Sequence, residues 1–109
     1  MKISTLFVAF TLICFAPSPR VHAACQDACL ANYSTAHGDH ALINNTGIAN
    51  TATGYDALRA NTSGDGNTAN GRGALRSNTT GSYNTASGDD ALRSNTTGHN
   101  NTAIGVSAL

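Results

Sequence analysis

The sequence predicts an all-β fold: a narrow parallel β-roll or solenoid of about four 17-residue coils, preceded by a short N-terminal helix or cap. Three observations predict it. From Ala41 the chain copies itself, with Ala57, Ala74, Ala91 and Ala108 each 17 residues apart; a fixed period marks a stacked architecture in which each unit covers the next. Every unit is rich in Asn, Thr and Gly, all poor helix formers, and its apolar residues do not recur at helical spacing. Leucine returns in a single register, as Leu42, Leu58, Leu75, Leu92 and Leu109, a regularity that a disordered chain does not need.

At the N-terminus, Lys2 supplies a positive charge ahead of a mostly apolar run from Ile3 to Ala16. Pro17, Ser18 and Pro19 break that run, and Val21-His22-Ala23 places small residues where a signal peptidase reads. Residues 1–23 therefore read as a secretory signal peptide, cleaved after Ala23. The run is shorter than the ~20 residues a membrane-spanning helix needs, so the mature chain is expected to carry no transmembrane segment. Lipidation at Cys25 is the lesser reading, because His22 sits where a lipobox wants a large aliphatic residue. The expected location is outside the cell: secreted, or at the cell surface, with the outer membrane implied if the full protein carries an anchor.

Removal of residues 1–23 leaves four arginines against six aspartates, a balance of −2, with no lysine and no glutamate. No basic patch is available to gather phosphates, which argues against a nucleic-acid partner. Residues 24–37 form a cap segment that contains Cys25 and Cys29. In an oxidising compartment this C-x3-C pair is a disulfide candidate, with two free thiols as the alternative. Two thiols without further ligands make a poor zinc site.

Residues 38–109 hold the repeat, whose working consensus is A-L-R-x-N-T-T-G-x-x-N-T-A-x-G-x-x; the first unit is one residue short near Thr46-Gly47. N-T-A-x-G reads as a short strand closed by glycine, and A-L-R-x as a second short extended piece. N-T-T-G and G-x-x read as turns, where Asn and Gly tolerate unusual dihedrals. Strand parity sends Ala52, Ala69, Ala86 and Ala103 inward. It sends Thr51, Thr68, Thr85 and Thr102 outward as a row, together with the mixed set Thr53, Asn70, Ser87 and Ile104. The fixed asparagines are expected to stack coil upon coil and to satisfy buried backbone groups. With one leucine and a few alanines per coil, a lone stack is marginal. The leucine row is accordingly expected to be covered by a partner chain or by further coils, which points to self-association.

The string Asn101-Thr102-Ala103-Ile104-Gly105-Val106-Ser107-Ala108-Leu109, with its earlier copies, resembles the head repeats of YadA-like trimeric autotransporter adhesins. Similar N-T-A-x-G-x-x-A-L repeats occur in tail-fibre-like and other bacterial surface proteins. The resemblance spans Gly38 to Leu109. It implies a left-handed parallel β-roll, a homotrimer with chains side by side, and attachment to host matrix, cell surfaces or glycans. The sequence departs from that family in its longer repeat. It shows no coiled-coil stalk and no C-terminal anchor, so a fragment of a longer protein and a shortened, released relative are both open.

Catalytic, cofactor and metal sites are not expected. His37 and His40 flank Asp39, but no third ligand is fixed by spacing, and they read as surface residues before the first coil. His99 falls at a variable turn position, and no nucleophile motif is present. The acidic position recurs only as Asp39, Asp56 and Asp90, with Gly73 interrupting, which is unlike a calcium-binding roll. Pairs of Asp56 with Arg59 and of Asp90 with Arg93 are expected instead. Sequons at Asn44, Asn61, Asn78, Asn95 and Asn100 follow from the repeat. The expected function is adhesin-like attachment through a repetitive surface. An ice-binding or lattice-matching solenoid using the threonine rows is the alternative, as is a ligand-free spacer within a longer fibre.

Overall fold

A computed structural model of the chain describes Ala28–Cys29 and residues 32–109; the signal-peptide assignment and Cys25 lie outside the described residues. These form a β-solenoid with six strands in one sheet, in chain order: β1 (Ala28–Cys29), β2 (Thr35–His37), β3 (Thr51–Thr53), β4 (Thr68–Asn70), β5 (Thr85–Ser87) and β6 (Thr102–Ile104). Strands β2 to β6 run parallel, Thr over Thr and Ala over Ala. The register step is 16 residues from Thr35 to Thr51 and 17 thereafter.

Among the described residues there is no helix. The expected cap helix is replaced at Ala28–Cys29 by β1, which pairs antiparallel with β2. The stack also begins one coil earlier than the repeat suggested. Ser34-Thr35-Ala36-His37-Gly38 forms the first rung, with Ser34 in the place of the ladder asparagine: its Oγ accepts from the Asn50 amide at 3.0 Å.

Strands β2 to β6 are each three residues long because parity allows one inward side chain and a narrow coil admits only a methyl group there. Ala52, Ala69 and Ala86 are fully buried, and the flanking threonines are exposed. The second expected extended piece, A-L-R-x, is not a strand. It is a series of overlapping turns, as in Ala57 N to Gly54 O, Arg59 N to Asp56 O and Asn61 N to Leu58 O. Two of these turns place Asp56 (φ 59°) and Leu58 (φ 50°) in the left-handed region, where a turn normally asks for glycine. Leu42, Leu75 and Leu92 do the same. A left-handed conformation costs a side-chain-bearing residue about 1–2 kcal/mol, and burying a leucine returns about 1.5–3 kcal/mol, so burial wins.

That burial occurs within the chain. Leu42, Leu58, Leu75 and Leu92 are at most 5% exposed and pack with Ala41, Ala57, Ala74 and Ala91. Of the two covers expected for the leucine row, a partner chain or further coils, neighbouring coils supply the cover seen here, and only Leu109 of the five is exposed.

The rest of the interior is polar. One asparagine ladder runs through Asn50, Asn67, Asn84 and Asn101, where each Oδ1 accepts the backbone and side-chain N–H of the asparagine above, at 2.9–3.1 Å. A second runs through Asn45, Asn61, Asn78 and Asn95 by side-chain amides alone, at 2.7–2.8 Å. The ladders converge on glycine carbonyls: Gly81 O accepts from Asn67 and Asn78, both at 2.9 Å. Buried amides demand such partners, and the stack supplies them by repeating the residue.

Candidate binding face

Three columns of side chains make up the outer face of the sheet. The middle column is the threonine row, Thr51, Thr68, Thr85 and Thr102, to which the first rung adds Thr35; all are exposed. One flanking column holds His37, Thr53, Asn70, Ser87 and Ile104. On the other side, across the buried ladder asparagine, stand Tyr33, Ala49, Gly66, Tyr83 and Asn100. Successive rungs of a sheet are about 4.8 Å apart, so the threonine hydroxyls recur at about that interval.

These hydroxyls differ from those of the second threonine column, which sits at the turn. Thr46, Thr62 and Thr79 donate their Oγ1 hydrogens to backbone carbonyls of the next coil, at 2.7, 3.0 and 3.1 Å. The hydroxyls of the strand row make no hydrogen bond to another described residue, and each can donate and accept.

Tyr83, 66% exposed, leans on the coil beneath it. A Cβ on Gly66 would stand 2.8 Å from the Tyr83 Cδ1 and 3.0 Å from Cε1, so the ring occupies room that only glycine leaves. Tyr33 is more exposed still and lies three rungs below in the same column.

Charge is gathered elsewhere, on the turn edge. Asp56, with a side chain only 6% exposed, meets Arg76 Nε at 3.1 Å, His40 Nδ1 at 3.1 Å and Arg59 at 3.6 Å. Arg72 reaches Asp89 at 3.1 Å and Asp90 at 3.9 Å, and Arg93 meets Asp90 at 3.3 Å. The hydrogen bond from Asp89, then its charge and that of Asp90, raise Arg72 above the usual arginine value. Gly73 opens a gap in the acidic column, and Asp90 leans into it, leaving a shallow cleft bordered by Tyr55, Arg72 and Arg76.

The sequence-level pairs Asp56–Arg59 and Asp90–Arg93 are present, but the partners Arg76 and His40 of Asp56 were missed. They come from neighbouring coils, a relation that sequence distance shows only once the period is applied. His40 lies inside the first coil, its ring centroid 5.5 Å from that of Tyr55. No group of three or more potential metal ligands is found among the described residues. The Asn61 and Asn78 sequons are fully buried in the second ladder. Among the described residues no helix is long and apolar enough to cross a membrane.

No family model, curated protein or solved structure matches the chain.

Proposed function

We propose that this chain is an exported attachment module that works by presenting the outer face of its sheet to another surface, as the resemblance to trimeric adhesin heads implies. The observation that supports this is the contrast between the two threonine columns. One is consumed in holding coils together. The other is left with free hydroxyls in a regular row, and a regular row of unengaged donors and acceptors is a recognition surface. Its target is host matrix, a cell surface or a glycan. The leucines are covered within the chain, so a homotrimer no longer follows from them and rests on the resemblance alone.

A direct test is retention of the purified full chain, exported and processed by its host, on whole cells, on matrix-coated surfaces and on polysaccharide surfaces. Retention above that of a scrambled-repeat chain is expected. Equal retention on every surface removes the proposal. Light scattering of the same sample gives the mass, and a single-chain value removes the trimer.

The free hydroxyls at sheet spacing also favour a second reading, in which the row matches an ordered lattice such as ice. Thermal hysteresis and faceted crystal growth at high protein concentration are its signature, and their absence sinks it.

A further inference from the structure

We infer that the occupant of the sheet face is an uncharged polysaccharide chain lying along the solenoid axis, with its hydroxyls on the threonine row and its sugar rings against Tyr83. This deepens the attachment reading and rests on it.

Charge is the first argument. The three columns of the face contain no Asp, Glu, Lys or Arg, while Arg59, Arg72, Arg76 and Arg93 and their aspartates all lie in other columns. A surface cleared of charge in this way offers nothing to an anionic or cationic polymer, whose desolvated charges would find no partner. It offers a great deal to a neutral polyhydroxyl chain, because each threonine hydroxyl both donates and accepts.

Geometry is the second argument. A glycan is a one-dimensional ligand with a regular step, and the face supplies a one-dimensional ladder with a step of about 4.8 Å, close to the length of a single pyranose unit. Beside that ladder the small residues Ala49 and Gly66 lie between Tyr33 and Tyr83. With the Tyr83 ring lying over Gly66, the low stretch of this column is at Ala49, between the two tyrosines. Tyr83 closes the upper end and is braced by its seat on Gly66, so the order that stacking requires is partly in place before binding. An aromatic ring with a polar tip suits a sugar, which turns C–H groups to the ring and hydroxyls to its edge. An ice plane, by contrast, needs flatness in two dimensions. The protruding tyrosines and the uneven column His37, Thr53, Asn70, Ser87 and Ile104 deny it that.

The test is depletion of the full chain from solution by microcrystalline cellulose, chitin and cross-linked dextran, with heparin beads as the anionic comparison. Retention on at least one neutral polymer is expected, unchanged by added salt and competed by its soluble oligomer. Tyr83→Ala is expected to weaken it about tenfold, the scale of a lost ring contact. Tyr83→Phe is expected to retain most of it, and Thr68→Lys with Thr85→Lys to abolish it. Ser94→Lys, on a turn away from the face, should leave it intact, with circular dichroism confirming the fold of each variant. Retention only on heparin and lost in salt, or only on matrix protein through the threonine face, overturns the polysaccharide while the attachment reading survives. Retention on none of the four polymers overturns the polysaccharide, and loss of binding to cells and matrix-coated surfaces as well overturns the attachment reading.

Discussion

Each full coil contains the dipeptide Asn-Thr twice, and the two copies do different work. In the middle coils they are Asn61-Thr62 and Asn67-Thr68, then Asn78-Thr79 and Asn84-Thr85. Both asparagines are buried, and the two kinds meet on the same glycine carbonyls. The threonines part company. At the turn the side chain bonds up the stack; on the strand it points to solvent with its hydroxyl open. The composition of the two sites is identical, so backbone conformation alone assigns one to cohesion and the other to display.

Substitutions that load one copy against the other sharpen this contrast. The largest effect is expected at Gly81, where both ladders converge. A Cβ there would stand 2.4 Å from Gly98 O and 2.4 Å from Asn78 Oδ1. Gly81→Ala should therefore destabilise by about 3 kcal/mol or more, combining overpacking with damaged buried hydrogen bonds; urea denaturation measures it, and a loss below about 1 kcal/mol would contradict the close approach.

Next come the asparagines. Asn67 Oδ1 accepts two hydrogen bonds from Asn84, one from the backbone, while Asn78 Oδ1 accepts only one, from Asn95. Asn67→Ala should cost about 1–3 kcal/mol more than Asn78→Ala, the cost of the additional stranded buried donor. Equal costs would show that the ladders carry equal weight.

The smallest effects separate the threonines. Thr79→Val loses a bond to the Thr96 carbonyl and should cost about 1 kcal/mol. Thr68→Val removes no bond within the chain and should fall within about 0.5 kcal/mol of zero. If the two variants melt alike, the division of labour is wrong.

Much of this was legible from the repeat. Strand parity placed Ala69 inside and Thr68 outside, and the fixed asparagines announced their ladders, because identical residues at identical positions in stacked coils must meet. Leu58 was not legible in the same way. Nothing local marks a leucine for positive φ, and the conformation is accepted only because the coil interior rewards the side chain. The same gap in reasoning sent the leucines toward a partner: a row of apolar residues reads as a seam until a turn is known to fold it inward. The first rung was hidden because Ser34 stands where the other coils carry asparagine. Asp56 and its three partners were only half visible, since Arg76 lies 20 residues away and becomes a neighbour only through stacking.

The short first unit carries a further consequence. At Thr46-Gly47 two successive backbone N–H groups share one carbonyl, Thr62 O, at 2.7 and 2.9 Å; in the full coils, Thr62 and Ser63 share Thr79 O in the same way. The missing residue is absorbed at this corner, and threonine still stands over threonine on the strand. The corner acts as a slack joint, where chain length and register are uncoupled. Lengthening at that joint would leave the stack below and above in step, which makes it the natural port for grafting a loop onto an otherwise rigid rod.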